Sequence, residues 1–155
     1  MYEKKNTSRI FVIGFIGSDR YNTAQKIAIK KGFSHVDMDY MIQNKTNQSI
    51  IDLCRFYGEH EYRNKEYEAL MFLAKERKIV VSCGDGIVLD KMCRDILKRN
   101  TVIFVDDDPK ILFENAKNDN SLPYSFLTID DEATQYKKFC ALYEIRKELY
   151  NQCVI

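Results

Sequence analysis

Three short runs along the chain are apolar on both faces: Ile10-Phe-Val-Ile13, Lys78-Ile-Val-Val-Ser82 and Thr101-Val-Ile-Phe-Val105. A strand with one face in water alternates apolar and polar residues. Continuous β-branched and aromatic runs instead predict a parallel sheet covered by helices on both sides. A shorter run, Phe33-Ser-His-Val36, ends in Asp37. Helical patterns lie between these strands. Ala24, Ile27 and Ala28 share one face, and Gly32 can end that helix. Ser49-Ile-Ile-Asp52 has the form of a capped start, with Gly58 as a break before a long helix from about Glu59 to Arg77. Asp108 before Pro109 predicts another helix reaching about Lys117. Residues 118–132 are polar, contain Pro123 and show no period, as expected of a surface loop or lid. A last helix is expected from about Ala133 to Tyr150.

Strands alternating with helices imply right-handed βαβ units. The expected fold is therefore α/β, a three-layer doubly wound parallel sheet of about five strands. No internal repeat, linker or low-complexity segment interrupts it, so residues 1–155 read as one domain. Ligands of such sheets bind at the carboxyl ends of the strands. The residues just after each strand are accordingly the candidates for chemistry.

After the first strand comes Gly14-Phe-Ile-Gly17-Ser18-Asp19-Arg20-Tyr21. A phosphate-binding loop stands in this place and needs G-x-x-x-x-G-K-[ST], with backbone N–H groups around the phosphates, Lys on the outer ones and a hydroxyl on Mg²⁺. Gly14 opens that frame, but Asp19, Arg20 and Tyr21 hold the last three positions. After the short strand, Asp37-Met38-Asp39 offers two carboxylates. Such a pair can accept hydrogen bonds from a polyol, act as a base or hold Mg²⁺ through water, or can be a helix cap beside a solvated acid. If the chain stays extended there, both project to the same side.

Tyr62-Arg63 places an aromatic wall beside a guanidinium that can grip a carboxylate with two parallel hydrogen bonds. The same arginine at helical spacing can simply pair with Glu59 or Glu66. Arg146 is open to the same two readings, with Glu144 and Glu148 as surface partners. In Cys83-Gly84-Asp85-Gly86 the glycines allow a ligand close to the backbone, or only a tight turn.

Composition narrows the classes. Charge is nearly balanced, 24 basic against 23 acidic residues, which gives no bulk electrostatic case for nucleic acid. No window approaches the ~18 apolar residues of a membrane span, and Met1–Ser8 lacks a signal-peptide core. The five cysteines, Cys54, Cys83, Cys93, Cys140 and Cys153, are scattered without a C-x-x-C pair, which argues against a disulfide framework or a zinc site. His35 and His60 lie far from other ligands. The chain reads as a cytoplasmic monomer.

Taken in order, several segments resemble the shikimate kinase family: Phe11-Val-Ile-Gly14-Phe-Ile-Gly17-Ser18, Val36-Asp37-Met-Asp39, Gln48-Ser-Ile-Ile-Asp52, Gly58-Glu-His-Glu-Tyr62-Arg63-Asn-Lys-Glu66, Gly84-Asp-Gly86-Ile-Val-Leu-Asp90 and Leu142-Tyr-Glu-Ile-Arg146-Lys-Glu-Leu-Tyr150. They cover nearly the whole chain at close to the family's spacing. The resemblance implies a P-loop NTPase fold of the nucleoside-monophosphate-kinase type, with a lid at about 115–132. It also implies roles: Asp39 as base candidate and contact to shikimate hydroxyls, Asp37 supporting Mg²⁺ through water, Arg63 and Arg146 clamping the substrate carboxylate, and Gly84, Asp85 and Gly86 lining the substrate. Gly14, Gly17, Ser18, Asp19, Arg20 and Tyr21 fall on the nucleotide loop, Arg20 at the position of the catalytic lysine.

The departures lie mainly on the nucleotide side. Asp19 replaces glycine, where a carboxylate facing the phosphates would be repelled by roughly 4 kcal/mol per charge pair at 4 Å and a dielectric of about 20. Arg20 is bulkier than lysine and forked, and the Tyr21 phenol is too long for the Mg²⁺ ligand position. Asn115 and Leu122 stand where the lid carries arginines that would neutralise the transferred phosphoryl. The family's last strand and closing helix are expected to be missing beyond Ile155. On the acid side, Asp85 replaces a glycine and can repel the substrate carboxylate or select another ligand.

The leading expectation is a shikimate-kinase-like protein, a pseudokinase, that lacks efficient ATP-dependent phosphoryl transfer and binds shikimate or a related hydroxy acid, with no cofactor retained. The alternative is an active shikimate kinase using Mg-ATP through an atypical loop. A third reading is a regulatory module that acts through a protein partner without ligand.

Overall fold

The computed structural model describes residues 5–124 and 126–154. Four strands, β1 (Asn6–Gly14), β2 (Ser34–Asp37), β3 (Ile79–Ser82) and β4 (Asn100–Val105), form one parallel sheet in the order β2-β3-β1-β4. The expected class is observed, with four strands among the described residues against about five anticipated. The first and last strands in sequence sit together: Phe11 of the central strand lies beside Val81 on one side and Val102 on the other.

The side-chain period of two divides each apolar run between two cores. Ile10, Val12 and Val80 pack on Ala24 and Ala28 of α1 (Arg20–Lys31). Phe11, Ile13 and Val81 face the larger core, against α4 (Glu59–Leu73), α5 (Lys91–Lys98) and α8 (Glu132–Val154). Burial on both faces is why these runs carry no polar alternation.

Caps fix where the helices begin. Ser49 accepts from Asp52 N at 3.1 Å to start α3 (Ile50–Tyr57), and Asp108 with Pro109 starts α6 (Pro109–Lys117). Two helices lie outside the sequence expectations: α2 (Met38–Thr46), which begins directly at the end of β2, and α5, capped by Asp90, with Cys93 and Leu97 four residues apart on its buried face. The long helix α4 ends at Leu73 rather than Arg77, because residues 74–78 are polar and turn back into β3, with Lys78 at φ 55°. Helix α8 starts at Glu132 and continues past Tyr150, since Cys153 still faces the core. Between α6 and α8 the chain forms only a four-residue turn of helix, α7 (Phe126–Ile129). Cys83, Cys93 and Cys153 are buried, Cys54 and Cys140 partly so, and all five are free thiols. Among the described residues no helix is long and apolar enough to cross a membrane.

Candidate functional site

The carboxyl ends of β1, β2 and β3 open onto one cleft of about 140 Å³, bounded by Ser18, Asp19, Arg20 and Tyr21 on one side and by Asp37, Asp39, Ser82 and Cys83 on the other. The loop after β1 is tightly built. Phe15 and Ile16 turn fully inward, Phe15 against Phe139 and Tyr143. Ser18 closes the turn, its N–H and hydroxyl both donating to Phe15 O, at 3.0 and 2.7 Å. Gly17 has φ +85°, and a Cβ there would run into the Leu112 carbonyl of α6. Only glycine fits that position. Asn115 Nδ2 donates to Gly17 O at 3.0 Å, so the residue standing in place of a lid arginine ties α6 to the loop.

The three altered loop residues do not point where a phosphate loop would place them. Asp19 is exposed and caps α1, accepting from Asn22 N at 3.3 Å. Its carboxylate is engaged at the helix start while the residue also borders the cleft. Arg20 reaches across the cleft to the acid side, where Nη1 donates to Cys83 O at 2.9 Å and Nε is buried without a partner. Burial disfavours its charge, but Asp85, Tyr150 and Asp39 outweigh that and hold its pKa above the ordinary arginine value. Tyr21 is half exposed, its ring 4.8 Å from that of His35.

Asp37 and Asp39 both line the cleft, but not along an extended chain. The strand stops at Asp37, whose carboxylate caps α2 through Tyr40 N at 3.0 Å and accepts from Ser82 Oγ at 2.6 Å. The cap reading of Asp37 is thus realised. Asp39, in the first turn of α2, accepts from Tyr62 Oη at 2.6 Å. Burial raises its pKa, against the hydrogen bond from Tyr62 and the charge of Arg20. A carboxylate with raised proton affinity facing a cleft can accept a proton from a ligand hydroxyl.

Arg63 has the ion-pair partners that helical spacing offers it. It pairs with Glu59 at 2.9 Å and Glu66 at 2.6 Å, yet its guanidinium lies across Gly86 so closely that a side chain there would collide with it. Glu66 is fully buried; its pKa rises to about 7 through burial, opposed by Arg63, and its Oε2 has no partner. A side chain on Gly84 would meet that same Oε2 and the Tyr62 hydroxyl. Arg146 pairs with neither Glu144 nor Glu148. Only 4 % exposed, it donates from Nη1 to the Asp85 carboxylate at 3.1 Å and to the Asp85 carbonyl at 3.3 Å.

Asp85 therefore sits at the centre of the acid side. Tyr124 Oη donates to its carboxylate at 2.6 Å, and Tyr150 Oη donates to its carbonyl at 2.6 Å. Burial would raise its pKa, but Arg20, Arg63 and Arg146 outweigh it and hold the carboxyl below the usual carboxylate range. The structure thus brings Asp39, Arg63, Arg146, Arg20 and the Gly84–Gly86 turn to one place. Tyr124, Tyr150 and Glu66 complete it, and sequence reasoning did not assign them. Tyr124 lies in an aperiodic segment, and Glu66 looked like a surface ion-pair partner, so neither carried a signal of its own.

Comparisons with known proteins bear on the family and the fold. The family model described as shikimate kinase matches residues 17–155. A shikimate kinase of Persephonella marina is 31% identical over 147 residues, covering 94% of this chain and 85% of that protein. One from Enterococcus faecalis is 33% identical over 147 residues, covering 93% and 83%. Among solved structures, shikimate kinase from Acinetobacter baumannii in complex with shikimate superimposes with a TM-score of 0.85 at 23% identity, covering 96% of this chain and 81% of that one. That from Aquifex aeolicus gives 0.78 at 24%, covering 93% and 82%. At those identities the structural likeness speaks for the fold, the P-loop kinase fold of these enzymes, while the family model and the sequence relatives carry the membership: the chain belongs to the shikimate kinase family.

Proposed function

We propose that this shikimate kinase homologue transfers phosphoryl groups from ATP only weakly, and that its acid side takes shikimate or a related small hydroxy acid. The observation that carries this reading is the direction of Arg20. The cation at the lysine position donates to Cys83 O and faces Asp85, so meeting outer phosphates would strip a buried carboxylate of a partner. The residues present also fit Mg-ATP poorly. Tyr21 packs on His35, the nearby Thr23 hydroxyl donates to Asp19 O, and Asp37 is engaged by Tyr40 N and Ser82. In this proposal Asp39 accepts the ligand hydroxyl, and Arg63 and Arg146 belong to the acid-binding side. The segment between α6 and α8 serves as the lid, in a monomeric cytoplasmic protein.

A second reading, an active shikimate kinase, draws more direct support from the relatives, which bear that name. There Arg20 swings back to serve as the lysine, and water replaces the hydroxyl ligand of Mg²⁺. A coupled assay for ADP release with shikimate and Mg-ATP separates the two. The first reading expects turnover orders of magnitude below the ordinary kinase range of about 1–100 s⁻¹. Turnover within that range establishes the second. Thermal melting adds the binding arm: a ligand at 100 times its Kd adds about 2.7 kcal/mol, or roughly 5–10 °C for a domain of this size. Millimolar shikimate should raise Tm, and Mg-ATP should not.

A further inference from the structure

The carboxylate of Asp85 is held as a bound anion would be. It is 6% exposed, and the groups around it come from separate parts of the chain. Arg146 of α8 and Tyr124 of the lid segment bond it directly, while Arg20 at the start of α1 and Arg63 of α4 face it as charges. Its own backbone needs none of this, because the Asp85 carbonyl is separately held by Tyr150 and Arg146. The side chain thus projects from an independently tethered turn into a ready-made cationic pocket.

Charge matching points the same way. Arg63 is answered by Glu59 and Glu66. Arg146 has Asp85 as its ion-pair partner, and for Arg20 Asp85 is the foremost of the charges that favour its cation. Without Asp85 the pocket would hold surplus positive charge in a buried place, which demands a counter-ion. The buried Nε of Arg20 has no partner, so the pocket offers a donor beyond those Asp85 uses. A second carboxylate entering beside Asp85 would meet a like charge, with Arg63 and Arg146 already in ion pairs.

We propose that Asp85 is a specificity-determining residue that fills the arginine pocket in cis, so that a free small carboxylate, shikimate included, binds the native chain only weakly because it must crowd or displace that side chain. Removing the side chain turns the pocket into an exchangeable carboxylate site. Which acid then fits rests on the proposed function of this site; the exchange itself does not.

The test compares the thermal melting of the native chain, Asp85→Gly and Asp85→Asn in acetate, in shikimate and in chloride of equal ionic strength. Asp85→Gly is expected to melt lower than the native chain in chloride and to recover saturably with acetate. Its affinity for a carboxylate should exceed that of the native chain by at least about tenfold, the factor set by roughly one lost like-charge contact. Asp85→Asn, whose amide still fills the space, should respond less than the glycine variant. Recovery with acetate but not shikimate would uphold the proposal and count against the hydroxy-acid reading. Equal shikimate affinity in the native chain and Asp85→Gly would overturn the proposal while leaving that reading standing. A folded Asp85→Gly that ignores both carboxylates overturns it as well. If the glycine variant folds only in acetate, the exchange is seen directly. If it folds in neither salt, equal responses of the native chain and Asp85→Asn to the two carboxylates overturn the proposal, and a larger response of Asp85→Asn supports it.

Discussion

Three residues of the loop after β1 illustrate how identity and direction differ in weight. Asp19 has the wrong charge for a phosphate site, but its carboxylate is spent as an N-cap on an exposed helix start. Asp19→Gly alone should therefore cost only a few tenths of a kcal/mol in stability, since glycine is a tolerated cap, measurable by urea unfolding. Restoring nucleotide affinity should need Arg20→Lys and Tyr21→Thr as well. Equilibrium binding of a fluorescent ATP analogue to single and triple variants checks this, and a triple variant with unchanged affinity would refute the assignment to these side chains. Arg146 is the opposite case. It reads as one more charged residue on a long helix, yet it is buried in an ion pair with Asp85, at 5% and 8% side-chain exposure. Arg146→Met leaves Asp85 partly unanswered and should destabilise the fold by about 3 kcal/mol.

At the scale of elements, the loop after β1, helix α6 and the segment between α6 and α8 are coupled through a few contacts. Gly17 touches α6 so closely that Gly17→Ala combines an unfavourable φ with a backbone collision. A loss of 2 kcal/mol or more is expected, roughly the cost of holding a side chain in that region plus the displacement of α6. Among its described residues that segment has four in regular structure, those of α7, and Tyr124 pins it to Asp85. Tyr124→Phe removes a hydrogen bond to a charged group, worth about 1.5–3 kcal/mol. Limited proteolysis should then cut between α6 and α8 faster while the sheet core stays resistant. Unchanged cleavage there would mean that Leu127 and its apolar neighbours, not Tyr124, hold the segment down.

For the whole molecule, the buried charge network predicts how stability follows pH. Glu66 has its pKa raised to about 7 from an ordinary 4.5, burial outweighing Arg63. The folded state therefore keeps the Glu66 proton over a range in which the unfolded chain has released it. The stability that this proton contributes is complete below about pH 4.5 and falls as pH rises towards 7. Asp39 is shifted in the same direction. Asp85, held low by the arginines, opposes them, but only towards acid, where its protonation removes stability as pH falls. Between pH 5 and 7 His35, whose pKa burial lowers, works in the opposite sense, so the glutamate is isolated by comparison with its amide. The Tm of the native chain relative to Glu66→Gln should fall as pH rises across that interval, which differential scanning calorimetry at matched ionic strength resolves.

Much of the fold was legible in the chain because it rests on local, repetitive signals. Strands apolar on both faces dictate a covered parallel sheet, and caps at Ser49, Asp108 and Pro109 fix helix starts whatever lies around them. The ordered segments from Gly14 to Arg146 were enough to point to the family, since such a match depends on residue types and spacing alone. Helices α2 and α5 are short: α2 begins directly at a strand end, where its cap reads as the end of β2, and the eight residues of α5 carry only one apolar repeat, Cys93 and Leu97. The meaning of the site residues was decided only by the tertiary structure. Asp19, Arg20 and Asp85 could each face a ligand, water or the protein, and direction follows from side chains that lie far away in sequence. Arg20 meets Cys83, and Asp85 meets Tyr124, Arg146 and Tyr150. The sequence determined the family and the fold class; packing across separations of 39 to 65 residues decided that Asp85 is held by Tyr124, Arg146 and Tyr150.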